Sequence, residues 1–423
     1  MPDAEFPRIA IDAPIRYGKS GGVGQAILGL LRALGQLADG GELYTVVVES
    51  GDTMDWLRAY AGKNQRFVVK PRSFLQRVRR LAERTWNAAW PSSRHRAPVS
   101  NGFYESLGCQ VLHFPHQKFI RTELATIYNP HDLLHVHYPE HFTRPAIAWR
   151  EAVYSEACRA AHTVVVASNW VKNDCVQHFG LNPDKVQIIP WGPPTQAYAE
   201  PTSDHMETLK LKYDLKQPFA LYPAMTWPHK NHLGLLEALA LLRDRDQLRV
   251  RLVCTGTIFE PFRPQIERRL DRLNLRSQVS FLGFVPEEDL RAVYRLCQFM
   301  VMPTLFESDS FPIYEAWSEG VPVTCSDVTS LPDQVRDAAL LFDPHQVASI
   351  SNAVRAMAGD EALRNRLRER GFERVKVFDW QKTAKAYRAV YRRAAGRVLS
   401  DEERWLLSWD WMRQPQPDVE VRT

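Results

Sequence analysis

Two glutamates separated by seven residues carry the clearest chemical signal in the sequence: Phe306-Glu307-Ser308-Asp309-Ser310-Phe311-Pro312-Ile313-Tyr314-Glu315. An apolar run, Phe299 to Pro303, precedes them, and Ala316-Trp317-Ser318-Glu319-Gly320-Val321-Pro322-Val323 follows. This order predicts strand, short loop, helix and next strand. Loops at the carboxyl ends of parallel strands are where open α/β sheets hold ligands. The amides that open the helix, at Ser310 and Phe311, suit a diphosphate. Glu307 is expected in the loop at the ligand, with Glu315 one to two turns into the helix and facing the same crevice.

A lysine occupies an equivalent place earlier in the chain. In Leu221-Tyr222-Pro223-Ala224-Met225-Thr226-Trp227-Pro228-His229-Lys230-Asn231-His232 a strand ends near Pro223. A helical pattern (Leu233, Leu236, Leu239, Ala240) starts just after Asn231. Lys230 thus falls at a helix N-terminus, a good position for a phosphate-binding cation. Near the start, Gly18-Lys19-Ser20-Gly21-Gly22-Val23-Gly24 lies between the first strand and a helix. It lets backbone approach a phosphate closely, but it is neither a GxGxxG nor a Walker motif.

Six histidines cluster in the middle of the first half: His113, His116, His131, His135, His137 and His141. Their spacing gives no third-ligand pattern and no cysteine pair completes it, so structural or ligand-lining roles are expected and no metal. His131-Asp132 follows the run Ala125–Tyr128, at a strand's carboxyl end.

Apolar runs alternate with helical patterns throughout, as in α/β domains with parallel sheets. Expected strands are Arg8–Ile11, Leu43–Val48, Arg66–Val69, Val111–Phe114, Ala125–Tyr128, Thr163–Ala167 and Val186–Ile189. A second set comprises Phe219–Pro223, Val250–Thr255, Val279–Leu282, Phe299–Pro303, Val321–Cys325 and Ala339–Phe342. The polar, proline-containing stretch 193–205 reads as a linker between two Rossmann-like domains, 1–195 and 206–378. Residues 379–412 hold a basic amphipathic helix, Trp380–Arg397, and a segment with Trp405, Trp409 and Trp411. Tryptophans at this spacing are expected to pack on their own protein. Residues 413–423 are expected to be disordered.

The composition, 45% hydrophobic and 24% charged, is that of a globular protein. Six scattered cysteines (109, 158, 175, 254, 297, 325) fit reduced thiols. The opening residues lack the basic and apolar regions of a signal peptide, and no run approaches a membrane span. A cytoplasmic location is expected. Residues 63–96 carry ten Lys/Arg against Glu83, leaving a net −4 on the rest of a chain whose total is +5. The basic character is therefore local. From Phe74 to Trp90 apolar residues recur at helical spacing, with Arg77, Arg80 and Arg84 on the flanks and opposite face. Two readings stand for this segment: a helix on the anionic inner face of the membrane, or a core helix with a solvated basic face.

Taken together, Glu307-x7-Glu315, the Pro-His-Lys-Asn-His element and the tail of the second domain resemble the retaining glycosyltransferases of family 4, mannosyltransferases among them. The resemblance covers nearly the whole chain. It implies the GT-B fold, two Rossmann-like domains with parallel sheets facing a central cleft, and a terminal helix crossing back to the first domain. It implies a nucleotide diphosphate sugar, GDP- or UDP-linked, as co-substrate. Transfer would go to a glycan or lipid-linked acceptor, with no cofactor, metal or nucleic acid.

The resemblance also assigns roles. Lys230 meets the donor diphosphate, Glu307 the sugar, and Glu315 the ribose. His131 contacts the sugar near the reacting carbon. Gly21 and Gly22 face the diphosphate, and Val285 cradles the base through its backbone. The resemblance carries no role over to His116, for which the acceptor side is this reading's own expectation. The chain departs from the family pattern twice. Ser308 and Ser310 stand where the family has glycines. Ala224 and Met225 stand where many members carry an arginine, which leaves His229 or another cation to replace it. Two rival readings follow: a non-catalytic nucleotide-sugar-binding relative, and a basic membrane- or nucleic-acid-binding protein on an α/β scaffold.

Overall fold

A computed structural model describes residues 6–15, 21–71, 96–194, 200–215 and 218–411. The chain forms two compact units. The first comprises residues 1–167, 171–191 and 380–410, and the second 168–170, 192–379 and 411–423.

The first unit is built on a seven-stranded parallel sheet. Its strands are β1 (Arg8–Asp12), β2 (Leu43–Val48), β3 (Gln65–Val69), β4 (Val111–Phe114), β5 (Ala125–Tyr128), β6 (Thr163–Val166) and β7 (Val186–Ile188). Their order is β3-β2-β1-β4-β5-β6-β7. The second unit has a six-stranded parallel sheet of β8 (Ala220–Pro223), β9 (Leu252–Thr255), β10 (Val279–Phe281), β11 (Phe299–Met302), β12 (Val323–Ser326) and β13 (Ala339–Phe342), in the order β10-β9-β8-β11-β12-β13. Central strands such as Val-Leu-His-Phe of β4 and Phe-Met-Val-Met of β11 are buried at every position. Helices cover both faces of a parallel sheet, so its strands are near-continuous apolar runs, interrupted in β4 by the buried His113.

In each sheet the strand order reverses at a pair of adjacent strands that are distant in sequence. In the first unit these are β1 and β4, with Ile9 opposite Val111. In the second they are β8 and β11, with Leu221 opposite Met300. The loops leaving such a pair diverge and open a crevice at the carboxyl edge.

The helix Trp380–Ala394 belongs to the first unit, although it follows the last strand of the second. Its buried face includes Trp380, Thr383, Tyr387 and Tyr391. It packs so closely on helix Gly21–Gln36 that a Cβ at Gly29 would overlap the Trp380 ring. Tyr391 Oη lies 2.8 Å from Nδ1 of His113, whose Nε2 lies 2.6 Å from Asn129 Oδ1. The Asn129 amide in turn donates to the Tyr387 hydroxyl and to the Val165 carbonyl. Because the amide oxygen can only accept, His113 carries its proton on Nε2 and the tyrosine donates to Nδ1. Burial drives the His113 pKa down to about 3, so this ring stays neutral. The helix spends its cations on acids of its own unit: Arg388 pairs with Asp39, and Arg392 with Glu42 and Glu403.

The helix Ser203–Lys212 starts inside the stretch read as a linker, capped by the Thr202 hydroxyl. Trp405 and Trp409 pack on each other with ring centroids 4.8 Å apart, and Trp411 is buried. The basic segment with Arg77, Arg80 and Arg84 lies outside the described residues, as do Gly18–Ser20 and the tail 413–423. Among the described residues no helix is long and apolar enough to cross a membrane.

Candidate active site

Lys230 and Glu307 follow β8 and β11, the two strands at which the second sheet reverses. The strand pairing therefore brings their loops together. Pro228–Lys230 forms a short 3-10 turn that ends at Asn231 in the left-handed region, φ +56°. Asparagine tolerates this conformation better than most residues. Its side chain accepts from the Gly234 amide and caps the next helix, while its own amide donates to the Pro344 carbonyl. The Tyr222 hydroxyl donates to the Lys230 carbonyl at 2.6 Å, and the Leu305 amide donates to that of His229 at 2.7 Å. The lysine thus stands on a backbone held from three sides.

Glu307 is fixed just as closely. Its amide donates to Thr329 Oγ1. Its carbonyl accepts from the hydroxyls of Thr329 and Ser330. Its carboxylate Oε2 lies 2.6 Å from Lys230 Nζ, with the side chains only 19% (Lys230) and 14% (Glu307) exposed. Such a charge-assisted bond in a partly desolvated place is stronger than a surface ion pair. Further along the loop, Ser310 is clamped by Gln334. The Ser310 amide donates to Gln334 Oε1 and its carbonyl accepts from Gln334 Nε2. This clamp presents the start of helix Phe311–Ser318 in one geometry.

Glu315 sits within that helix and is 8% exposed. The Tyr294 hydroxyl donates to its Oε2 at 2.7 Å. Burial raises its pKa to about 7, against the opposing pull of Tyr294 and with help from Glu287 and Glu319.

At the expected arginine position, the backbone of Ala224 and Met225 presses against Gly256, where a Cβ would come within 2.7–2.8 Å of it. Gly256 adopts φ +104°. Next to it, Trp227 stacks on Phe259 at 4.0 Å between centroids, and Thr226 Oγ1 accepts from the Phe259 amide. His229 is buried. Val285 is buried just after Gly283, whose carbonyl accepts from the Gly256 amide.

The first unit places its candidates at the corresponding edge of its own sheet. Gly21, at φ +52°, and Gly22 open the helix Gly21–Gln36 and are exposed. No acid occupies that helix's first turn. His116, after β4, lies with Nε2 3.0 Å from Asp12 Oδ2, at the end of β1. The Lys118 amide donates to its Nδ1, so the proton sits on Nε2 and points at the carboxylate. Burial works to raise the Asp12 pKa, but His116, Lys70 and Tyr104 outweigh it and the net shift is downward.

His131 adopts φ +65°, places Nε2 3.0 Å from the Pro115 carbonyl and stacks on Trp191. Burial lowers its pKa. A neutral ring donating to that carbonyl leaves Nδ1 as an acceptor. Of the other histidines, His137 bonds to Asp174, while His135 lies 3.2 Å from Glu151.

The structure therefore joins Lys230 to Glu307 and sets Glu315 on Tyr294. Sequence reading missed Tyr294, Thr329, Ser330 and Gln334. They carry no local motif, because each contacts the site across 21–24 residues of chain.

Sequence comparison decides the family. Residues 20–196 match the family profile described as Glycosyltransferase Family 4, and residues 207–374 match Glycosyl transferases group 1. The chain is a family 4 glycosyltransferase. Its relatives include the O-antigen chain mannosyltransferase B of Escherichia coli, 29% identical over 62% of this chain and 69% of that protein. The serotype-specific mannosyltransferase WbdA of the same species is 33% identical over 43% of this chain, a match spanning only 23% of WbdA. The glycosyltransferase also shares its GT-B fold with solved structures. Anabaena Alr3699/HepE in complex with UDP and glucose gives a TM-score of 0.68 at 15% identity, covering 92% of this chain and all of that one. WaaG, a glycosyltransferase involved in lipopolysaccharide biosynthesis, gives 0.65 at 16% identity over 90% of this chain and 99% of its own.

Proposed function

We propose that this glycosyltransferase is a retaining hexosyltransferase. It moves a hexose, mannose in the favoured reading, from a GDP- or UDP-linked donor to a glycan or lipid-linked acceptor in cell-surface polysaccharide synthesis. The Lys230–Glu307 pair at the strand-reversal point carries this reading, and the names of the mannosyltransferase relatives support the sugar. Lys230 and the amides that open helix Phe311–Ser318 neutralise the leaving diphosphate. As the bond from the anomeric carbon to the phosphate oxygen breaks, the acceptor oxygen bonds to that carbon on the same face. Its proton passes to the departing diphosphate. Glu307, released from Lys230, holds sugar hydroxyls and balances positive charge at the anomeric carbon.

Glu315 takes the ribose, and Ser310 and Phe311 contribute amides. Val285, Gly21, Gly22 and His131 keep the donor roles that the resemblance implies, and His116 the acceptor side. None of these steps needs a metal. Arg77, Arg80 and Arg84 are proposed to hold the enzyme on an anionic membrane surface.

The test is a donor panel that includes GDP-mannose and UDP-glucose, with the product's anomeric configuration read by NMR. Transfer with retained configuration is the expected result, and an inverted product overturns the mechanism. Nucleotide-sugar binding with neither transfer nor slow donor hydrolysis would instead indicate a non-catalytic relative, the reading favoured by Ala224 and Met225 at the arginine position.

A further inference from the structure

At the amino-terminal edge of the six-stranded sheet, the end opposite Lys230 and Glu307, lies a polar cavity of about 570 Å³. Arg243, Arg249, Arg251, Asn274, Ser277 and Gln278 line it, and no acid is among them. Its walls are tied down. Gln278 Nε2 donates to the Val250 carbonyl, and Arg243 Nη1 donates to the carbonyls of Leu273 and Asn274. Asn274 turns the chain at φ +51°.

The three arginines are not equivalent. Arg243 is neutralised by Asp244, which accepts from its Nε and Nη2. Arg249 and Arg251 flank the buried Val250 in the segment that leads into β9, and both reach the cavity. Neither side chain has an ion-pair or hydrogen-bond partner among the described residues. Arg249 is exposed and Arg251 half-buried, and two like charges lining one concavity repel each other. The sheet edge holds them there, and an anion would relieve the repulsion.

We propose that this cavity is an anion site that binds a phosphoryl group, separate from the donor chemistry. Two guanidinium forks match phosphate oxygens, with the Asn274 amide and the Ser277 hydroxyl as neutral donors. The volume exceeds that of one phosphate and leaves room for the group to which it is esterified. That phosphate can belong to a soluble phosphorylated molecule or to an anionic lipid headgroup.

The experiment uses the full chain with Lys230→Ala, so that the donor site competes less. Inorganic pyrophosphate is titrated calorimetrically, and flotation with phosphatidylglycerol–phosphatidylcholine vesicles is measured in parallel. Adding Arg249→Gln and Arg251→Gln is expected to weaken binding about tenfold or more. Arg249→Lys with Arg251→Lys keeps the charge without the fork and should fall between the two. Thermal unfolding of each variant confirms that the fold is kept. A loss confined to pyrophosphate assigns a soluble ligand, and a loss confined to vesicles assigns a lipid headgroup. Equal pyrophosphate affinity together with equal vesicle capture, with and without the two arginines, overturns the proposal.

Discussion

The ammonium of Lys230 lies 2.6 Å from the carboxylate of Glu307, so in the free protein the two charges expected to handle the donor satisfy each other. A diphosphate arriving at Lys230 must compete with that carboxylate. In the proposed mechanism, binding the donor and releasing Glu307 toward the sugar are then one event.

Opposite effects on binding and turnover follow for the two partners. Glu307→Gln should lower kcat by a factor equivalent to ~2 kcal/mol or more, while nucleoside diphosphate affinity holds or improves because Lys230 loses its competitor. Lys230→Ala should weaken both. Steady-state kinetics and calorimetric titration with the nucleoside diphosphate check this, and near-wild-type kinetics in either variant would remove the residue from the site.

The raised pKa of Glu315, about 7, makes stability depend on pH. A carboxyl group whose folded pKa lies above its unfolded value binds its proton more tightly in the native state. Its contribution is full below the unfolded value of about 4.5 and is lost as pH rises through about 7. The loss is on the order of 3 kcal/mol. Thermal melts of Glu315→Gln should therefore fall less between pH 5 and pH 7.5 than those of the wild type. Parallel curves would mean that Glu315 is ionised throughout.

Turnover should survive chelation. If Lys230 and the helix amides meet the diphosphate charge as proposed, EDTA treatment is expected to leave the rate unchanged. Complete loss restored by Mg²⁺ or Mn²⁺ would require a metal in the mechanism.

Gly29→Ala tests the helix contact in the first unit. Alanine favours helices by roughly 1 kcal/mol over glycine, but its methyl would overlap the Trp380 ring, which also packs on Trp191. Overpacking of a fixed aromatic costs about 1–3 kcal/mol, so a lower Tm is expected. A raised Tm would show that Trp380 gives way.

Much of this architecture was readable because of what buried parallel strands require. Runs such as Thr163–Val166 and Phe299–Met302 are apolar on both faces and stand out without homologues. Edges were less clear. Val321 and Pro322 read as strand, yet β12 begins at Val323, because Pro322 has no N–H to give a neighbour. Lys230 and Glu307 were visible because each precedes or lies in a helix-entry loop with its own local signature. The scaffold that aims them was not. Gln334 holds Ser310 through a side-chain amide that mimics a strand partner, and nothing in Leu-Pro-Asp-Gln-Val announces it. The basic pattern of Trp380–Ala394 also misleads by itself, since Asp39 accepts Arg388 and is held down to about 2 by it.

The placement of that helix has a consequence for biosynthesis. The first unit is interrupted in the chain: its early strands leave the ribosome first, and the residues that close over His113 and Asn129 emerge only after Asp379. About 190 residues are translated in between, roughly 10–40 s at ordinary elongation rates. During that interval residues 192–379 of the second unit emerge and can begin to fold, while the first unit still exposes the aliphatic and aromatic surface awaiting Trp380, Tyr387 and Tyr391. A nascent chain stalled before residue 380 would therefore be a client for chaperones, with this surface of the first unit uncovered.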